Sequence, residues 1–116
     1  MEIIRKVNNM NMKVFISQPM KGKETGEIQW ERDELVKELK RYLGEDIKIL
    51  DTIFHFAEDV PSLVYLGRSL EVLSQADLAV FMDNWENARG CRIEHQAAKD
   101  YSIPTLELNG FWYPCT

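Results

Sequence analysis

The sequence is poor in the residues that hold small proteins together from outside the core: two cysteines and two histidines in 116 residues. Cys91 and Cys115 have no spacing that suggests a disulfide framework or a metal knuckle. A chain of this length buries enough surface to fold without either. His55 and His95 are not spaced as ligands, so no metal is expected. No apolar run approaches the ~18 residues that cross a bilayer, and the first residues lack the apolar segment of a secretion signal. A cytoplasmic protein with no membrane partner is expected. Neither GxGxxG nor a P-loop occurs, which removes the usual phosphate cradle of dinucleotide and triphosphate ligands, and no cofactor is expected. Positive charge is in deficit, with a formal net charge of −5, and such a surface repels the backbone of a long nucleic acid. A small phosphorylated ligand held by a few local donors is not excluded, because diffuse charge is screened beyond about 10 Å.

What is present is ordinary globular composition, 45% hydrophobic and 28% charged, arranged in alternating strand-like and helix-like segments. Residues 1–11 read as a flexible leader, and 12–116 as one domain. Lys13-Val14-Phe15-Ile16 is a short apolar run closed by Ser17-Gln18-Pro19, as expected of a buried strand opening into a loop. Thr25 is placed to cap a helix carrying Ile28, Leu35, Val36, Leu39 and Leu43 at helical spacing, with Gly44 ending it. Residues 47–50 read as a second strand, followed by a loop with Phe54 and Phe56 around His55. Pro61 opens a second helix with the stripe Leu63, Leu66, Leu70 and Leu73. Residues 78–82 are a third strand. A third helix starts near Arg89, with Ile93, Ala97, Ala98 and Tyr101 inward and Glu94, Lys99 and Asp100 outward. Residues 103–108 form a fourth strand, in which Pro104 favours an edge position or a strand start, before the aromatic tail Phe111-Trp112-Tyr113.

Strands alternating with helices of this length predict an α/β fold, a Rossmann-like or flavodoxin-like three-layer sandwich with a four- to five-stranded, mainly parallel sheet. Ligands of such sheets bind outside the carboxyl ends of the strands, near the switch in strand order. That rule selects the loops 17–24, 51–57 and 83–92.

Several residues in these loops carry chemistry. Glu94, in the expected first turn of the third helix, is placed where the helix start favours an ionised carboxylate. Such a carboxylate can attack an electron-poor sugar carbon, and it can equally be a solvated surface group. Asp83, directly after the third strand, is a candidate acid, base or ribose-hydroxyl acceptor, or else a turn former. Asp77, at the other end of that strand, reads as structural. Ser17, Gln18 and Pro19 shape a turn with polar groups for a base or sugar, and Met20 can pack on a base. Arg89-Gly90-Cys91-Arg92, with Lys21 and Lys23, suits a monophosphate at a helix start. Trp85 fits either stacking on a base or a subunit interface. Cys91, near a helix start, is a candidate for a lowered pKa.

The segments Lys13-Val14-Phe15-Ile16-Ser17-Gln18-Pro19-Met20, Ala76-Asp77-Leu78-Ala79-Val80-Phe81-Met82 and Gly90-Cys91-Arg92-Ile93-Glu94 resemble the nucleoside 2-deoxyribosyltransferase superfamily. The similarity runs over about residues 12–108 and is closest to a bacterial and phage branch with ISQPM and ARGCRIEH segments. It implies a glutamate nucleophile at Glu94. It also implies a site completed by a neighbouring subunit in a homodimer or higher homo-oligomer, to which Trp85 or the aromatic tail would contribute. The aspartate that these enzymes carry in the preceding helix corresponds to Ser69 here, so the usual proton-handling acid is replaced. The expected ligand is a nucleoside or its monophosphate, either cleaved or exchanged at its N-glycosidic bond or bound without turnover. A flavodoxin-type redox carrier is the remaining alternative, and it would purify yellow.

Overall fold

The computed structural model describes residues 11–52 and 60–109, and the expectations for most of the leader, the Phe54–Phe56 loop and the aromatic tail fall outside them. Lys13–Ser17 forms β1, Thr25–Leu43 α1, Lys48–Ile49 β2, Ser62–Leu73 α2, Leu78–Phe81 β3, Arg89–Asp100 α3 and Thr105–Glu107 β4, with a short 3₁₀ turn over Trp85–Asn87. All four strands are parallel, in the order β2-β1-β3-β4. The path steps one way from β1 to β2 and then reverses. Right-handed crossovers therefore put α1 on one face and α2 and α3 on the other.

The pleat distributes side chains accordingly. Val14 and Ile16 of β1 join Leu78, Val80 and Met82 against Leu35 and Leu39 of α1, while Phe15 joins Ala79 and Phe81 against Leu73 and Ala98 of α2 and α3. β1 and β3 are buried on both faces, which is why they read as unbroken apolar runs. The amino end of this pair is tied by Asp77, whose carboxylate accepts from the Lys13 backbone N–H at 2.9 Å. This is the structural role expected of it.

The strands are shorter than the apolar runs. Ile47 and Leu50 are buried but flank β2, and Met82 lies beyond β3 although its N–H still donates to the Ser17 carbonyl at 3.0 Å. Pro104 lacks an N–H, so β4 starts at Thr105, yet the Pro104 carbonyl accepts from Ala79 at 2.9 Å. Thr25 is the first helical residue of α1, not its cap; Glu24 holds the cap position without a side-chain bond. Pro61 likewise precedes α2 instead of opening it.

Two helix faces differ from the expected stripes. On α2, Leu73 is buried but Leu63 is 74% exposed. A 12-residue helix is ~18 Å long against ~13 Å for a 4-residue strand, so its first turn overhangs the carboxyl edge of the sheet. On α3 the inward residues are Cys91, Glu94 and Ala98, whereas Ile93 and Tyr101 are exposed. The helix is rotated by about one residue from its apolar stripe, and a carboxylate faces the sheet.

Candidate functional site

β1 and β3 are the neighbours whose outgoing connections diverge, so the rim beyond their carboxyl ends is the switch point. Ser17, the last residue of β1, continues the side of the pleat occupied by Phe15 and faces α3. Its Oγ donates to Glu94 Oε1 at 2.6 Å, with both residues buried. The Ser69 hydroxyl of α2 also acts on the Glu94 carboxylate, favouring its ionised form. Three segments far apart in sequence thus converge on one acid.

Glu94 lies in the second turn of α3, where the influence of the helix start has fallen off, instead of the first turn expected from sequence. Burial dominates and raises its pKa above the ordinary carboxylate value, although the hydroxyls of Ser17 and Ser69 pull it back in part. The expected stabilisation of the anion by the helix end is therefore corrected to a net penalty on the charged form. Cys91, one turn earlier, is corrected in the same direction: burial pushes its thiol up to about 11 despite the Ser17 hydroxyl, so a lowered, nucleophilic thiolate is not what this position provides.

Glu94 lies in the wall of a cavity of about 650 Å³, within the range of small-ligand pockets. One wall is the β1 end with Ile16, Ser17, Gln18 and Met20, and beside it Thr52 after β2. A second is the overhanging part of α2, contributing Ser62, Leu63, Tyr65, Leu66 and Ser69. The third is the start of α3, from Ala88 through Arg89, Gly90 and Cys91 to Ile93 and Glu94. The loop after β1 is fixed by a turn in which the Lys23 N–H donates to the Met20 carbonyl at 3.1 Å, with Gly22 at φ 82° supplying the left-handed residue. Lys23 then pairs with Glu31 of α1 at 2.9 Å.

Of the candidate residues, the structure brings Ser17, Gln18, Met20, Ser69, Arg89, Gly90 and Glu94 onto this cavity. Pro19, Asp83, Trp85 and Arg92 are not in its walls. Arg92 instead reaches back to the Glu86 carbonyl at 2.9 Å. Trp85 stacks on His95 with ring centroids 4.1 Å apart and touches Phe81, because Asn84 takes a left-handed φ of 69° and turns the chain beneath α3. On that side, His95 pairs with Glu107 at 2.7 Å, and Thr105 Oγ1 donates to the same carboxylate at 2.8 Å. Burial alone would raise the Glu107 pKa, but these bonds and the His95 and Lys99 charges outweigh it and lower it.

Thr52 falls in the 51–57 loop that the sequence selects, but sequence reasoning missed Ser62, Tyr65 and Leu66 as site residues. A signal for them existed: Ser62, Tyr65, Leu66 and Ser69 fall at i, i+3, i+4 and i+7, one helical face carrying two serines beside its apolar members. Among the described residues, no group of three or more His, Cys, Asp or Glu is arranged to hold a metal ion. No helix among them is long and apolar enough to cross a membrane.

A domain-family profile described as "Domain of unknown function (DUF4406)" matches residues 12–106. The chain belongs to this family. The DUF4406 match runs from the residue before β1 into β4, so every residue of the cavity wall falls within it. No curated protein and no solved structure gives a significant match.

Proposed function

We propose that this DUF4406 protein binds a nucleoside or its 5′-monophosphate in the cavity and cleaves or exchanges its N-glycosidic bond through Glu94. The observation that carries the reading is the Ser17–Glu94 contact of 2.6 Å at the switch point, an oriented carboxylate on the wall of a cavity of nucleoside size. Arg89, exposed at the start of α3, is placed to take the anionic end of a monophosphate.

In this mechanism the ionised Glu94 attacks the anomeric carbon. The carbon–nitrogen bond breaks and its electron pair leaves with the base, which takes a proton from solvent. The sugar is held as an ester of Glu94. Water, or a second base in an exchange reaction, then attacks the anomeric carbon and returns the free carboxylate and one proton. Ser17 orients the carboxylate, and both Ser17 and Ser69 favour its ionised form against the burial penalty.

One observation favours a second reading, binding without turnover. Glu94 is the only carboxylate among the described lining residues, and Ser69 occupies the place where the resemblance expects an acid. Leaving-group protonation then has no resident donor of that kind.

Incubation with a panel of nucleosides and 5′-monophosphates separates the two. Base release or exchange that disappears in Glu94→Ala supports the enzyme. Ligand that binds by calorimetry and is recovered unchanged supports the binding module. Absence of both binding and turnover across the panel refutes the nucleoside reading.

A further inference from the structure

Of the α3 residues that are not exposed, Gly90, Cys91, Ala97 and Ala98 are small, and only Glu94 and His95 are large. The bulky apolar residues that would key the helix into the sheet, Ile93 and Tyr101, face outward instead. Small inward residues let a helix come close but offer no ridge to fix its rotation about its own axis. That leaves the two large residues. They are consecutive, so they depart about 100° apart and anchor the helix on two flanks. Glu94 is held from β1 by Ser17 at 2.6 Å. His95 is held by three other elements. Its ring stacks on Trp85 with centroids 4.1 Å apart and meets Phe81 in a T at 4.8 Å, and its Nε2 lies 2.7 Å from Glu107 Oε2. An ionised carboxylate only accepts, so Nε2 carries the proton and donates it. Thr105 Oγ1 donates to the same oxygen at 2.8 Å and steadies Glu107 on β4.

We infer that His95 is a positioning residue, whose contacts with Glu107 and Trp85 set the rotation of α3 that carries Glu94 and Cys91 to the cavity wall. Neither His95 nor Glu107 is in that wall, so they act on the site through Glu94 and not on a ligand. The reaction performed by Glu94 rests on the nucleoside reading of the cavity; the placing of its carboxylate does not.

Cys91 reports this rotation, since it is buried one turn before Glu94 on the same side of the helix. The experiment follows its modification by an aromatic disulfide reagent in the full chain carrying Cys115→Ser, which removes the other cysteine. The control is Leu39→Val, in the core on the opposite face of the sheet, with each protein compared at the same interval below its own Tm. In His95→Ala and Glu107→Ala, labelling is expected to be about tenfold faster than in the control. Glu107→Gln keeps an oxygen for the His95 N–H and is expected to restore protection. The two Glu107 variants decide the question even where His95→Ala does not fold. In the His95→Ala background, the rise in Tm brought by Glu94→Gln is expected to shrink by at least about half, because a carboxylate released toward water loses its burial penalty. Removing a positive charge from His95 would enlarge that rise instead, so the sign separates position from charge. Labelling that follows Tm equally in all these variants, or a Glu94→Gln effect unchanged by His95→Ala, overturns the inference. No ligand enters these measurements, so they and the nucleoside panel fail independently.

Discussion

Replacing Glu94 with glutamine should make the protein more stable at neutral pH. The substitution keeps side-chain volume and an oxygen that accepts from Ser17, so neither a cavity nor a lost contact offsets the change in charge. What it removes is the need to hold an anion in a residue only 7% exposed. Neutralising a charge kept for function typically adds about 0.5–2 kcal/mol. For 116 residues, at ~2.1 cal/mol/K per residue, the unfolding entropy is ~0.24 kcal/mol/K, so each kcal/mol moves Tm by about 4 °C. The expected gain is therefore roughly 2–8 °C at pH 7.5.

The pH dependence has a definite sign. Burial raises the folded-state pKa of Glu94 above the unfolded value of about 4.3, so between the two the folded chain binds more protons. Stability of the unmodified protein then falls as pH rises through that window. The glutamine variant has no such loss. The gap should be full above the raised pKa and shrink to about 1 °C by pH 4, where both side chains are neutral. Thermal unfolding of the two proteins from pH 4 to 8 measures it, with all other carboxylates cancelling in the difference. A variant no more stable at neutral pH, or a gap that widens on acidification, refutes the argument that Glu94 is a desolvated acid.

Glu107→Gln should behave oppositely: because the native pKa is lowered, its contribution is present above about pH 4.3 and lost as pH falls through the folded value. The loss at neutral pH should be roughly 0.5 kcal/mol, since the group is partly solvated, and urea titrations at pH 7 and pH 3.5 check it. Ser17→Ala removes a donor that favours ionised Glu94, so the acid limb of any base-release profile should move to higher pH, with a rate loss of about tenfold at pH 6. Phe15→Ala, at a position with 0% exposure in the centre of β1, should cost about 3–5 kcal/mol and leave the chain largely unfolded at 37 °C. Arg92→Ala, whose side chain donates to the Glu86 carbonyl before α3 and is not in the cavity wall, should leave nucleotide affinity within about twofold by calorimetry.

The sheet was legible because Val14-Phe15-Ile16 and Leu78–Met82 are apolar on both faces, a pattern only buried parallel strands sustain at that length. The rim followed from alternation alone, which put Ser17 at the end of a strand beside the switch point. What the sequence did not disclose was the rotation of α3. The apolar residues at the two ends of its expected stripe, Ile93 and Tyr101, are not the ones that pack, because Glu94 is inward and held by Ser17 from another element. Hydrophobic periodicity cannot anticipate a carboxylate satisfied by a serine 77 positions away. The overhang of α2 was hidden for a related reason: helix and strand lengths have to be compared in ångströms before Leu63 and Tyr65 are seen to clear the sheet. Trp85, which lies in the right loop, is turned beneath α3 after the left-handed Asn84, and Arg92 reaches back to the Glu86 carbonyl.

The segment from Asp83 to Asn87 gives the cavity no side chain, yet it meters how far the polypeptide has wound when α3 begins. One residue more or fewer there shifts the helix by ~100° of azimuth, enough to swing an inward carboxylate toward solvent while the strands on either side pair unchanged. A stretch of ordinary surface loop is thus constrained in length where it is free in composition. Homologues of differing lengths in this stretch should divide by whether they keep the inward acid, even where their cores are the same.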